Sequence, residues 1–555
     1  MPCVLLLVPG QSGVRVASAA SAPATGPCRT QPPRPLPYSR GCKETPVTSK
    51  PASAPAPAAL PPFRAIPDLI RENAQARPAQ LAVRQGAQRM TWQALDAAAD
   101  RVAATLQGHG LQPRASIAIC GANSIPYLAL FLGGLRAGLV VAPLPTGATA
   151  EQLAGMVRDS GARFFFVDAS VPAFDAGVPR IRMDVEQELA GWLVGTRPQP
   201  VQIQPEWAFN IIYSSGTTGT PKGIVQPHQM RWAHVARGEN YGYGPDTVSM
   251  VATSLCSNTT LVSAFPCLAK GGTLVLTEGR FDPGAWLALA QDARATHAML
   301  VPVQYQRLMA YPDFDRYDLS SFRMKFCTSA PFPAALKAQI LARWPGGLVE
   351  YFGMTEGGGT CILEAHNFPD KLHTVGRPSA GHDIRLIDEE GREVPPGEVG
   401  EVVGRSGAMM AGYQNQPEKT REAEWYDPAG NRFMRTGDVG RFDEDGFLVL
   451  MDRRKDMIIS GGFNVYPSDL EAVLRQHPAV HEAAVVGVPS EAWGETPVAF
   501  VVPNPDAPPA EEVRAWLNER VGKIQRLADL RYLPELPRSD IGKVLKRQLR
   551  DGYGG

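Results

Sequence analysis

The sequence YSSGTTGTPKGIV, residues 213–225, decides how the rest of the chain is interpreted. It follows the apolar run of residues 207–212, which predicts a buried strand, so the loop should begin at a strand end, where α/β proteins bind ligands. Its glycines let the backbone approach a polyanion, its hydroxyls add hydrogen-bond donors, and its lysine adds a charge suited to phosphate. The residues predicted to bind phosphate are Ser214, Ser215, Gly216, Thr217, Thr218, Gly219 and Lys222.

This loop differs from the Walker phosphate loop, because Lys222 is followed by Gly223 and Pro227 interrupts any helix starting there. A flexible Ser/Thr/Gly linker is the competing interpretation, and the preceding strand and the apolar residues that follow the loop disfavour it. The run YSSGTTGTPKG resembles the phosphate-binding signature of the adenylate-forming superfamily. That family includes acyl-CoA synthetases, luciferases and the adenylation domains of peptide synthetases.

Size and composition limit the classes of protein that need to be considered. A chain of 555 residues exceeds one ordinary core, so at least two domains are expected. Lys+Arg and Asp+Glu are equal at 55 each, so whole-chain charge gives no reason to expect a nucleic-acid partner. The eight cysteines show no metal-binding spacing, which favours reduced thiols in a cytoplasmic enzyme. The sequence contains no apolar run long enough for a membrane span.

The chain divides into four predicted segments. Residues 1–60 are rich in Pro, Ala and Ser and are expected to form a disordered tail. In residues 61–451 apolar strand patterns alternate with helical ones, which predicts an α/β domain of mostly parallel sheets covered by helices. Residues 452–456 are charged and resemble the family's hinge. Residues 457–555 should form a small, mobile α+β lid domain.

The segment of residues 251–261 bears on the choice of substrate. In the resembled family it faces the acyl pocket and carries a His or Asp, whereas here it reads VATSLCSNTTL. Members that activate amino acids hold the substrate ammonium with an Asp, and Ser257 cannot supply that charge. An α-amino acid is therefore a disfavoured substrate. The competing interpretation is that Ser257 and its neighbours are ordinary loop hydroxyls.

A second signature, YFGMTEGGG at residues 351–359, strengthens the resemblance. An aromatic ring such as Phe352 can stack on adenine, and Glu356 is a hard oxygen ligand suited to Mg²⁺ on ATP phosphates. The sequence TSAP at residues 328–331 resembles the family's turn beneath adenine. The residues expected around the nucleotide are Ser329, Ala330, Pro331, Phe352, Gly353, Met354 and Thr355, and those expected around the acid are Ser257, Asn258, Thr328 and Gly357.

The last third of the chain completes the pattern. The resemblance implies that Asp438 of RTGD and Arg453 bind the ribose, and that the backbone pivots at Lys455. It also implies that Gly461 and Gly462 line the pantetheine channel. From the sequence, SDLE at residues 468–471 predicts a capping box that opens a helix.

The catalytic residues follow from the same resemblance. PRSDIGK at residues 537–543 matches the family's terminal loop, whose lysine, here Lys543, enters the active site. The expected catalytic residues are Lys543, Glu356 and Thr217.

The resemblance covers about residues 61–550 and implies a two-step reaction with ATP, Mg²⁺ and CoA. A carboxylic acid is first adenylated and then transferred to a thiol, with AMP and pyrophosphate as products. An acyl-CoA ligase is the first expectation, because no carrier domain follows the small domain. A freestanding enzyme that loads a carrier-protein pantetheine is the alternative. A nucleotide-binding pseudoenzyme is disfavoured by the presence of Glu356, Asp438 and Lys543 together. Fatty, aryl and short dicarboxylic acids remain open as substrates, and a homodimer remains open as the oligomeric state.

Overall fold

The structure is a computed structural model that describes residues 61–214, 222–453, 456–460, 463–490, 493–538 and 542–554. Helices and strands are numbered in chain order. The helices are α1 (Ile66–Ala76), α2 (Trp92–Gly108), α3 (Ile125–Arg136), α4 (Ala150–Asp159), α5 (Glu186–Trp192), α6 (His228–Arg237), α7 (Asn258–Ala269), α8 (Pro283–Asp292), α9 (Pro302–Met309), α10 (Ala334–Arg343), α11 (Pro417–Glu422), α12 (Pro467–Leu474), α13 (Ala510–Asn518) and α14 (Lys546–Asp551). None of these helices is both long and apolar enough to cross a membrane.

Two large sheets dominate the described part of the chain. Listed in spatial order, the first contains β18 (Gly412–Tyr413), β8 (Lys222–Pro227), β7 (Ala208–Ser214), β4 (Val140–Leu144), β3 (Ser116–Cys120), β5 (Ala162–Val167) and β6 (Arg180–Arg182). The second contains β15 (Arg377–Pro378), β14 (Cys361–Glu364), β13 (Gly347–Phe352), β12 (Met324–Cys327), β11 (His297–Leu300), β9 (Val248–Val251), β10 (Thr273–Leu276), β1 (Leu81–Gln85) and β2 (Gln88–Thr91).

The interior strands of both sheets are parallel, whereas antiparallel pairs lie toward the edges. Strands such as β3 and β10 are buried along their whole length, as expected for parallel strands with helices on both faces. One cluster of buried side chains joins the two sheets and takes in helices α2, α3 and α7. The predicted α/β class with mostly parallel sheets is confirmed.

Two smaller sheets lie later in the chain. One is antiparallel and contains β16 (Asp383–Ile387), β17 (Gly400–Arg405), β20 (Arg432–Phe442), β19 (Glu424–Tyr426) and β21 (Leu448–Arg453). The other, here called the C-terminal sheet, contains β23 (Phe463–Val465), β22 (Ile458–Ser460), β25 (Gly494–Pro503), β24 (Val480–Ser490) and β26 (Asp529–Tyr532). The C-terminal sheet packs with α12 and α13 around a hydrophobic cluster of its own. The domain boundaries stated above stay predictions.

Helix starts show where local sequence patterns hold and where they fail. Thr91 caps α2, since its hydroxyl accepts a hydrogen bond from the Ala94 amide at 3.3 Å. The predicted capping box at α12 is wrong. The Ser468 hydroxyl donates instead to the Met451 carbonyl, and the Glu471 carboxylate accepts from the Val485 amide at 2.9 Å. Partners that are distant in sequence outcompete the local cap.

Candidate active site

The predicted adenine turn follows β12 and meets the predicted substrate segment. The Thr328 hydroxyl donates to the Tyr351 carbonyl at 2.8 Å, which fastens the end of β12 to β13. Ser329 adopts the left-handed conformation, with φ of 83°, and its hydroxyl lies 2.5 Å from that of Thr259 on α7. Thr328 and Ser329 directly follow β12, so they lie at the carboxyl edge of the parallel strands β12 and β13.

Glu356, the predicted metal ligand, lies in a backbone segment with little freedom. Its carbonyl accepts from the Met410 amide at 2.8 Å. The next residue, Gly357, has φ of +80°, and a Cβ added there would lie 2.0 Å from the Ala408 carbonyl oxygen. Only glycine fits that position, because any side chain would push the 406–410 segment away. The hydrogen bond from Met410 and the close packing at Gly357 therefore restrict the backbone of Glu356.

Tyr413 joins Glu356 to Lys222, the lysine of the predicted phosphate loop. The Tyr413 hydroxyl donates to Glu356 Oε1 at 2.9 Å, and Lys222 Nζ lies 5.1 Å from the centre of the same ring. Strand β18 brings Tyr413 there by pairing with β8, where Tyr413 faces Ile224. Burial raises the pKa of Tyr413, and the Glu356 charge raises it further, so the phenol stays a proton donor. Sequence patterns do not point to Tyr413, because its position depends on a long-range strand pairing.

A buried polar network links the phosphate hairpin to the substrate segment. The Gln226 amide donates to the Thr355 carbonyl at 2.7 Å and accepts from the Arg231 guanidinium at 2.6 Å. Arg231 also donates to Asn258 Oδ1 at 3.0 Å. Arg231 is completely buried, and desolvation lowers its pKa to about 9. Asn258 is therefore held by this network, while Ser257 caps α7 by accepting from the Thr259 amide at 3.2 Å.

Asp159, at the end of α4, joins the strand that precedes the phosphate loop in sequence to the segment that follows β18. Its carboxylate accepts from the Tyr213 hydroxyl at 2.7 Å and from the Asn415 amide at 3.0 Å. Tyr213 lies in the strand that enters the loop, and Asn415 follows the strand that carries Tyr413. The loop itself, residues 215–221, lies outside the described residues, as does the Ser214 side chain.

The predicted ribose-binding residues are neighbours in the antiparallel sheet. Asp438 of β20 pairs with Arg453 of β21, and the Asp438 amide donates to the Thr436 hydroxyl at 3.0 Å. The Arg453 side chain, Lys455, Gly461 and Gly462 lie outside the described residues. The structure thus brings the backbones of Asp438 and Arg453 together, and their role in binding ribose stays a prediction.

The terminal loop that carries Lys543 reaches the nine-stranded sheet. Gly542 has φ of +76°, and a Cβ added there would lie 2.7 Å from Val303 Cγ1. Val303 lies in α9, which begins immediately after β11. The Arg538 guanidinium fixes the loop by donating to the Gly542 carbonyl and by pairing with Glu482, each at 2.7 Å. Lys543 is therefore presented at the sheet edge that also carries Thr328 and Ser329.

The residues present suit a Mg²⁺ ion bound together with ATP. In the part of the chain that the structure describes, no three His, Cys, Asp or Glu side chains converge as a metal cage. Magnesium usually takes one or two carboxylates and obtains its other ligands from phosphates and water. Glu356, with one oxygen bonded to Tyr413 and Lys222 nearby for phosphate, provides such a carboxylate.

Comparison with known proteins agrees with this geometry. Residues 70–414 match the family model described as AMP-binding enzyme, and residues 469–543 match the model of the AMP-binding enzyme C-terminal domain. The chain is 34% identical to a feruloyl-CoA synthase of Amycolatopsis sp over 496 residues, covering 87% of this chain and 98% of that protein. It is 31% identical to ScoC of Streptomyces coeruleorubidus, named a fatty acid–[acyl-carrier-protein] ligase, over 87% of this chain and 95% of ScoC.

Among solved structures, ATP-bound MatB from Rhodopseudomonas palustris superposes with a TM-score of 0.79. The sequence identity is 29%, and the match covers 88% of this chain and 99% of MatB. The family models match most of the residues that form the site described above, including Lys222, Glu356 and Tyr413 in the first and Lys543 in the second. The chain therefore belongs to the adenylate-forming superfamily of AMP-binding enzymes.

Proposed function

We propose that this chain is an acid–thiol ligase that activates a carboxylic acid with ATP and transfers the acyl group to CoA. In the first step a carboxylate oxygen attacks the α-phosphorus of ATP, and the bond to pyrophosphate breaks. In the second step the CoA thiol attacks the acyl carbon, the bond to AMP breaks, and the thiol proton goes to solvent. The products are an acyl-CoA, AMP and pyrophosphate.

The observation that carries this proposal is the convergence of Glu356, Tyr413 and Lys222. The first step brings two anions together, so catalysis depends on cancelling charge and aligning the reactants. Lys222 supplies a positive charge beside the phosphate loop, and Glu356 would hold Mg²⁺, which neutralises phosphate charge when bound. Tyr413 keeps both side chains at one place before ATP arrives, which reduces the reorganisation that the reaction requires.

The remaining predicted residues complete the proposed assignment. Phe352 stacks on adenine, Asp438 and Arg453 hold the ribose, and Lys543 contacts the α-phosphate that the carboxylate attacks. Thr217 and its loop neighbours bind the β- and γ-phosphates. Rotation at Lys455 would withdraw Lys543 and bring Gly461 and Gly462 to the acyl-adenylate for the second step.

A carrier protein is the second candidate acceptor. ScoC, a relative of similar identity, is named a ligase for an acyl carrier protein, whereas the feruloyl-CoA synthase is named for CoA. Both classes need the same ATP site, because they differ only in the thiol that attacks the acyl-adenylate. The described site residues therefore support adenylation equally for either acceptor.

The test is pyrophosphate release from ATP and Mg²⁺ across a panel of carboxylic acids, each with CoA, with a phosphopantetheinylated carrier protein, or with neither. We expect release to depend on the acid, multiple turnover to require CoA, and mass spectrometry to find AMP and an acyl-CoA. Multiple turnover with the carrier protein but not with CoA would favour the second candidate. Absence of acid-dependent release for the whole panel would refute the proposal.

A further inference from the structure

Helix α6 turns a row of basic side chains toward the interior. Arg231, His234 and Arg237 follow one another at intervals of three residues, which places them along one side of the helix. Arg231 is 0% exposed and His234 is 9% exposed, and Arg237 is half-buried. Two guanidinium groups in such a position are unusual, because arginine is rarely buried unless it is paired.

Arg237 faces a small cavity beneath the candidate active site. Its guanidinium carbon lies 4.8 Å from the centre of the Tyr351 ring. The cavity, about 10 Å³ in volume, is also lined by Tyr241, Met299 and Val262. Tyr351 directly precedes Phe352, and its carbonyl is the one that holds Thr328. The cavity therefore shares Tyr351 with the surroundings of Thr328, one of the residues predicted to surround the acid.

Within the described residues, neither Arg231 nor Arg237 forms an ion pair with a carboxylate. Every carboxylate-to-arginine contact within 4.0 Å found there involves other arginines. Arg231 donates hydrogen bonds to the neutral amides of Gln226 and Asn258. Among the described residues, Arg237 contacts the face of the Tyr351 ring. A charge that is partly removed from water and lacks a counterion is less stable than one in solvent, and a bound anion would compensate for that loss.

Among the other titratable groups around the cavity, Glu364 is a carboxylate, but within the described residues it forms no ion pair with Arg237. Burial, with the charges of Arg231 and Arg237, lowers the pKa of His234 well below its usual value, and burial lowers that of His382 to about 4. Burial raises the pKa of Tyr241 to about 12, with Glu364 adding to the rise and Arg237 opposing it. Glu364 therefore faces Tyr241, and its carboxylate accepts from Asn367 at 2.8 Å rather than pairing with an arginine.

We propose that Arg237 binds a second carboxylate of the acid substrate, so that the substrate class is a dicarboxylic acid. One carboxylate is adenylated at the site above, while the other remains ionised against the guanidinium, whose planar fork matches a carboxylate. This inference rests on the proposed function, because it names the acid that the ligase takes.

The test compares matched pairs of acids that differ in the second carboxylate, succinate with butyrate and terephthalate with benzoate. kcat/KM for AMP formation is measured with ATP, Mg²⁺ and CoA. For at least one pair we expect the wild-type protein to favour the diacid by about tenfold or more, since a charge-assisted hydrogen bond is the stronger kind. Arg237→Gln should reduce kcat/KM for that diacid at least tenfold more than for its monoacid, and Arg237→Lys should restore part of the difference.

Arg316→Gln is the matched control. The Arg316 side chain is 81% exposed and pairs with Asp313 at 3.0 Å on the surface, so its loss should change neither substrate's kcat/KM. If the wild-type protein uses monoacids at least as well as diacids in both pairs, the inference is overturned while the proposed function stands. The same holds if Arg237→Gln affects both members of a pair equally or raises KM for ATP alone.

Two further outcomes are distinct. If no acid in the panel supports AMP formation, the proposed function fails and this inference fails with it. If Arg237→Gln does not fold, as judged by its thermal unfolding, the wild-type preference within the pairs and the activity of Arg237→Lys decide the matter. A wild-type preference for the monoacid then overturns the inference, and a diacid preference that Arg237→Lys reduces supports it.

Discussion

Replacing Tyr413 with Phe would remove one hydroxyl and leave the ring that faces Lys222. The lost hydrogen bond joins the phenol to Glu356 Oε1 at 2.9 Å. A hydrogen bond to a charged group contributes about 1.5–3 kcal/mol. Each 1.4 kcal/mol corresponds to about tenfold, so if this bond holds Glu356 in its working orientation, kcat/KM for ATP should fall by about 10–100-fold.

The assay is acid-dependent pyrophosphate release over a range of ATP and Mg²⁺ concentrations. Tyr426→Phe is the matched control, because the Tyr426 hydroxyl also donates to a glutamate, Glu424, at 3.0 Å, but the residue is 54% exposed. We expect that variant to stay within about twofold of wild type, since exposed polar contacts contribute little. The effects of Tyr413→Phe and Glu356→Gln should also be less than additive in the double variant.

Two results would refute this reasoning. One is a Tyr413→Phe protein with the ATP and Mg²⁺ dependence of wild type, which would mean that Glu356 is oriented without the phenol. The other is an equal loss in thioester formation from a preformed acyl-adenylate, because that step does not involve the Mg²⁺ and pyrophosphate that Glu356 and Lys222 are proposed to serve.

Three other predictions follow from contacts described by the structure or from the proposed roles. Lys543→Ala should slow adenylation at least about 100-fold, comparable to losing an oxyanion donor, and spare thioester formation from preformed acyl-adenylate; equal losses in both half-reactions would contradict its role. Lys337→Met should lower the free energy of unfolding by about 3–5 kcal/mol, because it leaves Glu350 buried and unpaired; a urea-measured loss below about 1 kcal/mol would disprove this. Burial lowers the pKa of His297 to about 4 from 6.5, so the unfolded chain takes up a proton that the folded chain excludes, and stability falls as pH drops between these values. By urea unfolding, His297→Gln should lose about 2 kcal/mol less than wild type between pH 6.5 and 5, and an equal loss in both proteins would contradict the assignment.

Local patterns were sufficient to predict the class of fold. The apolar run before the phosphate loop forms β7, Thr91 caps α2, and buried parallel strands alternate with helices. Each of these features depends on residues close together in sequence, where period and capping chemistry are informative.

The contacts that were missed all depend on tertiary structure. Tyr413 acquires its neighbours only when β18 pairs with β8. Ser468 has the spacing of a helix cap, yet its hydroxyl donates a hydrogen bond to the Met451 carbonyl instead. Residues 228–237 read HQMRWAHVAR, which shows no apolar stripe, and the burial of Arg231 follows from the sheets that enclose α6. Sequence spacing cannot reveal which distant group will compete for a side chain.

The bond between Ser468 and Met451 spans the proposed hinge at residues 452–456. Its donor, Ser468, and its acceptor, Met451, therefore lie on opposite sides of the proposed hinge. If the small domain rotates between the two half-reactions, this hydrogen bond must break in each catalytic cycle and form again afterwards. A hydrogen bond contributes about 1 kcal/mol, enough to favour the conformation in which it is formed by about fivefold. The resting enzyme would then be biased toward one half-reaction before any substrate has bound.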